Sequence, residues 1–163
     1  MSRAFVKEST GELDPLPDLP ISPHPNYVTP RGLAALKDRL LARQADLQAL
    51  RARVERLDKL PEAAAERDIR YLEARLRSAI VINPAEQDGR TVGFGHVITV
   101  ADEAGGTARY EITGEDEADA KVGRIAPQSP LARALIGAEV GDEVVWRKPS
   151  GSVRLTVVAI GLP

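Results

Sequence analysis

Cysteine is absent from this chain of 163 residues. That absence excludes a disulfide framework, a thiolate metal site and a cysteine nucleophile. Histidine occurs only twice. His24 lies in a proline-rich stretch and His96 in a β-patterned one, a pairing too isolated for a zinc site, and His96 reads as a sheet residue. Aromatic residues make up 4% of the chain, so any core has to be built from Leu, Val, Ile and Ala. Neither sign of charge dominates: 22 Lys and Arg against 24 Asp and Glu give a net charge of -2. No electrostatic footprint for nucleic acid results, and no direct sequence-specific DNA binding is expected. No apolar run approaches the ~18 residues of a membrane span. The start, "MSRAFVKESTGELD", lacks the apolar centre of a signal peptide. A cytoplasmic protein without membrane association is the expectation.

Catalytic motifs are missing too. "GFGHV" is followed by no helical pattern, so it is not a phosphate loop, and no serine sits in a nucleophile-elbow context. As an independent enzyme the chain is unequipped. Its hydrophobic content of 43% and charged content of 28% are those of an ordinary globular protein. The length suits one compact domain with an appendage, or two small domains.

Residues 1–28 hold "DPLPDLPISPHPNYV", whose prolines at 15, 17, 20, 23 and 25 remove amide donors and forbid helix. The segment reads as an extended or disordered arm, either a docking element or a tail without a partner. A helix then opens at "TPRGLAALKDRL", with Thr29 as N-cap and Pro30 at the first helical position. Leu33, Leu40, Leu47 and Val54 repeat every seven residues; Leu36, Leu50 and Leu57 fill a second seam that Arg43 interrupts. That is a narrow coiled-coil seam. After Pro61 the spacing resumes as Ala65, Ile69, Leu72, Leu76 and Ala79. A connection of a few residues makes the two helices antiparallel neighbours, so residues 29–82 are expected to form a coiled-coil hairpin.

Beyond "NPAEQDGR" the period changes to two. "TVGFGHVITVAD" alternates, "GTARYEIT" follows a Gly-Gly turn, and "DEVVWRKPSGSVRLTVVAIG" reads as a hairpin around Pro149, Ser150 and Gly151. Between them "SPLARALIG" has Ser129 as N-cap, Pro130 in the first turn and Gly137 as the stop. Residues 83–163 are therefore expected to form a small domain of about four strands and one short helix, which makes the chain α+β. Trp146, in a strand, reads as core or packed surface.

The hairpin tip, "ERLDKLPEAAAER", carries acids: Asp58, Glu62, Glu66 and Asp68 fall on or just beyond it. Carboxylates on an exposed tip suit Mg²⁺, a hard cation whose remaining ligands another macromolecule can supply. The same acids also suit the start of the second helix, where they favour its dipole. The residues alone leave both readings open.

Several stretches resemble the Gre family of bacterial transcription elongation factors, the GreA/GreB type. They are the Thr-x-x-Gly-x-x-x-Leu helix start at Thr29, "VGFGHVITV", "YEITGEDEAD" and, above all, "SPLARALIGAEVGDEVVWRKPSG". The resemblance covers residues 27–161. It implies an N-terminal antiparallel coiled coil and an FKBP-like C-terminal domain that docks at the secondary channel of RNA polymerase, with Ser129, Pro130 and Arg133 in the docking segment. It further implies that the coiled coil threads the channel and that its tip carboxylates help hold a Mg²⁺ of the polymerase. The polymerase's own site would then cleave backtracked RNA, and the factor, a monomer with no cofactor of its own, would be an accessory rather than a hydrolase. Asp58 and Glu62 are the nearest counterparts of the family's tip acids and the tentative metal ligands. This tip departs from the family's Gly-Asp-x-x-Glu-Asn-Ala-x-Tyr: the two acids stand four apart, with Pro61 between them. The hairpin is also shorter by about two turns in each arm, roughly 10 Å of reach. That shortening resembles the Rnk group and other polymerase binders that do not cleave. Two other classes fit the residues: a coiled-coil module with a different partner, and, on fold alone, a prolyl isomerase, for which the aromatic supply is poor.

Overall fold

The computed structural model describes residues 14–163; the first 13 residues of the expected arm lie outside them. Helix α1 spans Pro30–Arg51, and the Thr29 hydroxyl accepts from the Gly32 amide at 2.9 Å as its N-cap. Helix α2 spans Leu60–Ser78 with Pro61 in its first turn, where a missing amide costs no hydrogen bond. Arg43 pairs with Asp68, and Arg51 with Glu66. The partner numbers fall as the α1 numbers rise, so the helices are antiparallel. Leu36 and Leu72 are buried in their seam together with Val28, flanked by Leu33, Leu40 and Leu76. Arg43, the interruption in the α1 seam, meets a carboxylate beside the α2 seam: its Nε and Nη2 donate to Asp68 at 3.0 and 2.8 Å.

The heptad reading runs too far at the tip. α1 stops at Arg51, the connection is residues 52–59 rather than a few, and Val54 and Leu57 are fully solvent-exposed. A seam needs a facing helix, and α2 begins only at Leu60, so two further seam positions have nothing to face.

The arm is extended where it is described, and it is attached. Arg70 on α2 donates to Asp18 at 2.6 Å and to the Leu16 carbonyl at 2.9 Å. Leu19 and Ile21 line shallow surface grooves together with Tyr71. Strand β1, Tyr27–Val28, pairs in parallel with β2, Ile80–Val81, which ties the end of the arm to the chain leaving α2.

The second half is a five-stranded sheet of order β5-β4-β3-β7-β6. Its strands are β3 Val97–Asp102, β4 Thr107–Ile112, β5 Arg124–Ile125, β6 Glu143–Lys148 and β7 Gly151–Gly161. β5 runs parallel to β4, and the other pairs are antiparallel. Helix α3, Pro130–Leu135, supplies Leu131, Ala132 and Leu135 to a core shared with Ile98, Val100, Ile112, Leu155 and Val157. The α+β class expected from the sequence is the class observed. Two details differ. β5 is a fifth strand of only two residues, too short for an alternation to register. "TVGFGHVITVAD" becomes strand only at Val97, because residues 93–96 close a turn with Gly95 at φ +83°. His96 sits in that turn rather than in the sheet, buried, with Nδ1 accepting from the Gly93 amide at 3.0 Å.

Candidate functional site

The tip carboxylates are engaged separately. Asp58 accepts from the Leu60 amide at 3.0 Å, and its own carbonyl receives Arg53. Its side chain therefore closes the turn into α2, although it remains exposed. Glu62 lies in the first turn of α2 and takes Arg56 in a two-pronged pair, Nε at 2.8 Å and Nη2 at 2.7 Å. Those hydrogen bonds, helped by Lys59 and Arg53 nearby, hold its carboxyl below the usual range. A lowered carboxyl stabilises the fold above the ordinary range, and that contribution disappears as the pH falls through the lowered value. Only 7% of the Glu62 side chain is exposed, because its partner lies over it. Glu66 is paired with Arg51 at 2.8 Å. Burial pushes the Asp68 carboxyl up, but Arg67 and Arg43 outweigh that effect together, and it too titrates low. Among the described residues no three His, Cys, Asp or Glu side chains gather as a metal site. The tip instead presents Val54, Leu57 and Leu60 to solvent.

In the segment expected to dock, the Ser129 hydroxyl accepts from the Ala132 amide at 3.3 Å, Pro130 fills the first turn, and Gly137 ends the segment at φ +87°. Arg133 is exposed on α3, with Ile136 and Val140 exposed just beyond it. Trp146 is half-buried against the core, edge-on to Tyr110 at 6.2 Å and beneath the Lys148 ammonium at 3.9 Å.

Reasoning from sequence missed the junction between hairpin and sheet. Glu117, in the turn after β4, accepts from Thr29 and Arg31, and Arg31 also reaches Glu111 at 2.6 Å. Tyr71 donates to Asp116 at 2.5 Å, and Arg75 to the other oxygen of Asp116 at 2.6 Å. Gly114 is buried where a Cβ would run into the Tyr27 carbonyl, so the absence of a side chain lets the two halves meet. The available signal was a charge beside the seam: Arg75 stands three residues after the buried seam residue Leu72 and just before Leu76.

Burial and the Asp116 carboxylate push the Tyr71 phenol up to about 12. The neutral donor form is therefore favoured in the fold. Its contribution is complete below the ordinary phenol range of ~10 and is lost as the pH rises through 12. A phenolate-absorbance titration should show one of the three tyrosines ionising near pH 12, and Tyr71→Phe should remove that step. Loss of a step in the ordinary phenol range of ~10 in Tyr71→Phe, rather than near 12, would place the phenol in water.

The family model "Transcription elongation factor, GreA/GreB, C-term" matches residues 86–161. Transcription elongation factor GreA of Beijerinckia indica is 36% identical over 149 residues, which cover 82% of this chain and 95% of that protein. GreA of Verminephrobacter eiseniae is 49% identical over 94 residues, 56% of this chain and 60% of the relative. For that relative and others like it, the match spans about three fifths of the relative's own length. Among solved structures, GreA factor homolog 1 (Gfh1) of Thermus thermophilus superposes with a TM-score of 0.41 at 25% identity, covering 84% of this chain and 99% of that one.

Proposed function

The chain belongs to the GreA/GreB family of transcription elongation factors, and on that premise we propose that it binds RNA polymerase and modulates elongation from the secondary channel. The observation that carries this reading is the match of residues 86–161 to the family model, which includes the whole segment around Ser129, Pro130 and Arg133. In this reading the sheet domain docks through the exposed Arg133 side of α3, and the hairpin enters the channel. The protein acts in the cytoplasm, where the polymerase is, and contributes no active site of its own.

The tip favours a regulator that occupies the channel over one that stimulates cleavage. A carboxylate that helps hold Mg²⁺ must offer free oxygen lone pairs to the ion. Both Glu62 oxygens are taken by Arg56, and Asp58 holds the turn. α1 has 22 residues and α2 has 19, so the hairpin is only about 30 Å long. Displacing ligands by even a fraction of that length abolishes metal-assisted chemistry. Should the tip reach the active centre, Asp58 and Glu62 would be its oxygen donors once Arg56 let go, and Mg²⁺ would supply an activated water there.

The test is a backtracked elongation complex with Mg²⁺, followed for binding and for RNA shortening. The protein should bind, and Arg133→Glu should weaken binding about tenfold, or ~1.4 kcal/mol. No cleavage above background is expected, with or without Asp58→Ala and Glu62→Ala. Shortened RNA that disappears in the Asp58→Ala, Glu62→Ala variant would make the protein a cleavage factor. Failure to bind at low salt would end the polymerase reading altogether.

A further inference from the structure

The largest fully buried side chain among the described residues is a cation, Arg75, 2% exposed. Its Nε donates to Asp116 at 2.6 Å, and its Nη2 donates to the Asn26 side-chain oxygen at 2.7 Å and lies 3.5 Å from Glu115. Asn26 closes the arrangement by donating to the Arg75 carbonyl at 2.8 Å and to Ser78 at 3.1 Å. Asp116 receives Arg75 on one oxygen and Tyr71 on the other. Three separate parts of the chain meet here: the arm through Asn26, the hairpin through Tyr71 and Arg75, and the turn after β4 through Asp116.

The physics of such a site is directional. Apolar burial is indifferent to rotation. A planar guanidinium with donors fixed in a fork accepts few orientations of its partners. Nor is stability the natural explanation, since replacing a buried ion pair by apolar residues of similar volume is often neutral or stabilising. The role such directional contacts can serve instead is to fix one arrangement of the parts they join.

We propose that Arg75 is a positioning residue: through Asp116 and Asn26 it locks the helical hairpin to the sheet domain in one direction. Its consequence rests on the polymerase reading above. A hairpin already aimed when the sheet domain docks enters the channel without a search. A swivelling hairpin would be competent only part of the time, and apparent affinity falls by that fraction. The arm takes part as the third partner, because the extended backbone of the proline-rich segment carries Asn26 into the junction.

The absence of cysteine makes the test direct. Ala49→Cys near the far end of α1 and Val158→Cys on β7 are both at exposed positions and would carry two spin labels. Interlabel distances are measured in the free protein, first in the parent chain and then with Tyr71→Phe, Arg75→Met and Asp116→Leu together, which removes the ionic lock and, among its partners, leaves the Asn26 side-chain oxygen without its donor. The expected result is one narrow distribution in the parent and a distribution at least twice as wide in the triple variant. The thermal transition of Trp146 in the sheet should stay in place. If the triple variant fails to fold, Arg75→Lys keeps the charge without the fork and should broaden the distances likewise. Equal widths and centres in parent and variant would overturn the lock, as would a broad parent distribution. Polymerase affinity is read separately: an unbound parent with a narrow distribution leaves the lock standing and removes the polymerase reading.

Discussion

Asp116→Ala is expected to cost roughly 3–5 kcal/mol, the usual penalty for stripping one partner from a buried ion pair. Arg75 would be left with Asn26 and a 3.5 Å approach to Glu115, and Tyr71 would lose its acceptor. The Asp116 side chain is only 10% exposed, so water has little room to substitute. Against a typical total of ~5–15 kcal/mol the loss is large, and it falls at the junction rather than in either core. Denaturation followed by two probes should separate them. Far-ultraviolet circular dichroism reports chiefly α1 and α2, and Trp146 fluorescence reports the sheet. The two curves should coincide in the parent and split in Asp116→Ala, with the helical signal lost first. A shift below ~1 kcal/mol with curves still superposed would mean that Arg75 is already hydrated.

Ile98→Ala is expected to cost about 2–5 kcal/mol, in the opposite place. Ile98 is fully buried in β3, the middle strand, paired with Tyr110 on β4 and Ile160 on β7. Truncation removes three methyl or methylene carbons from a core that α3 closes from one side. Neighbouring strands hold their register and cannot collapse into the cavity. Here the Trp146 transition should move first, and hairpin melting should follow it. A loss confined to the Trp146 signal, with the helical signal unmoved, would show that the sheet does not support the hairpin.

Together the two substitutions probe what holds the protein together: a core held by apolar burial and close packing, and a junction held by directional hydrogen bonds. The orientation of the hairpin belongs to the second. The Glu62–Arg56 pair belongs to neither, since it is local to one end of the hairpin.

Most of the fold was legible along the chain because its signals are local. Thr29-Pro30 and Ser129-Pro130 announce helix starts from two adjacent residues. The seven-residue spacing of leucines marks α1, and the turn at Pro149 and Ser150 marks the β6–β7 hairpin. The family was legible from contiguous motifs, above all "SPLARALIGAEVGDEVVWRKPSG".

Tertiary structure decided the rest. Periodicity carries a seam to Leu57, but the length of the facing helix stops it at Arg51. Composition makes the arm extended, but Arg70 and the β1–β2 pairing attach it. Glu62 reads as a tip acid until Arg56 covers it. Arg75 reads as one more solvated charge on a coiled coil, yet it is buried because Asn26, 49 residues before it, and Asp116, 41 residues after it, converge on its guanidinium. A helix start or a turn is fixed by neighbours a few bonds away, which any reading of the chain contains. Whether a charge is solvated or locked depends on partners that only the folded chain brings within hydrogen-bonding distance.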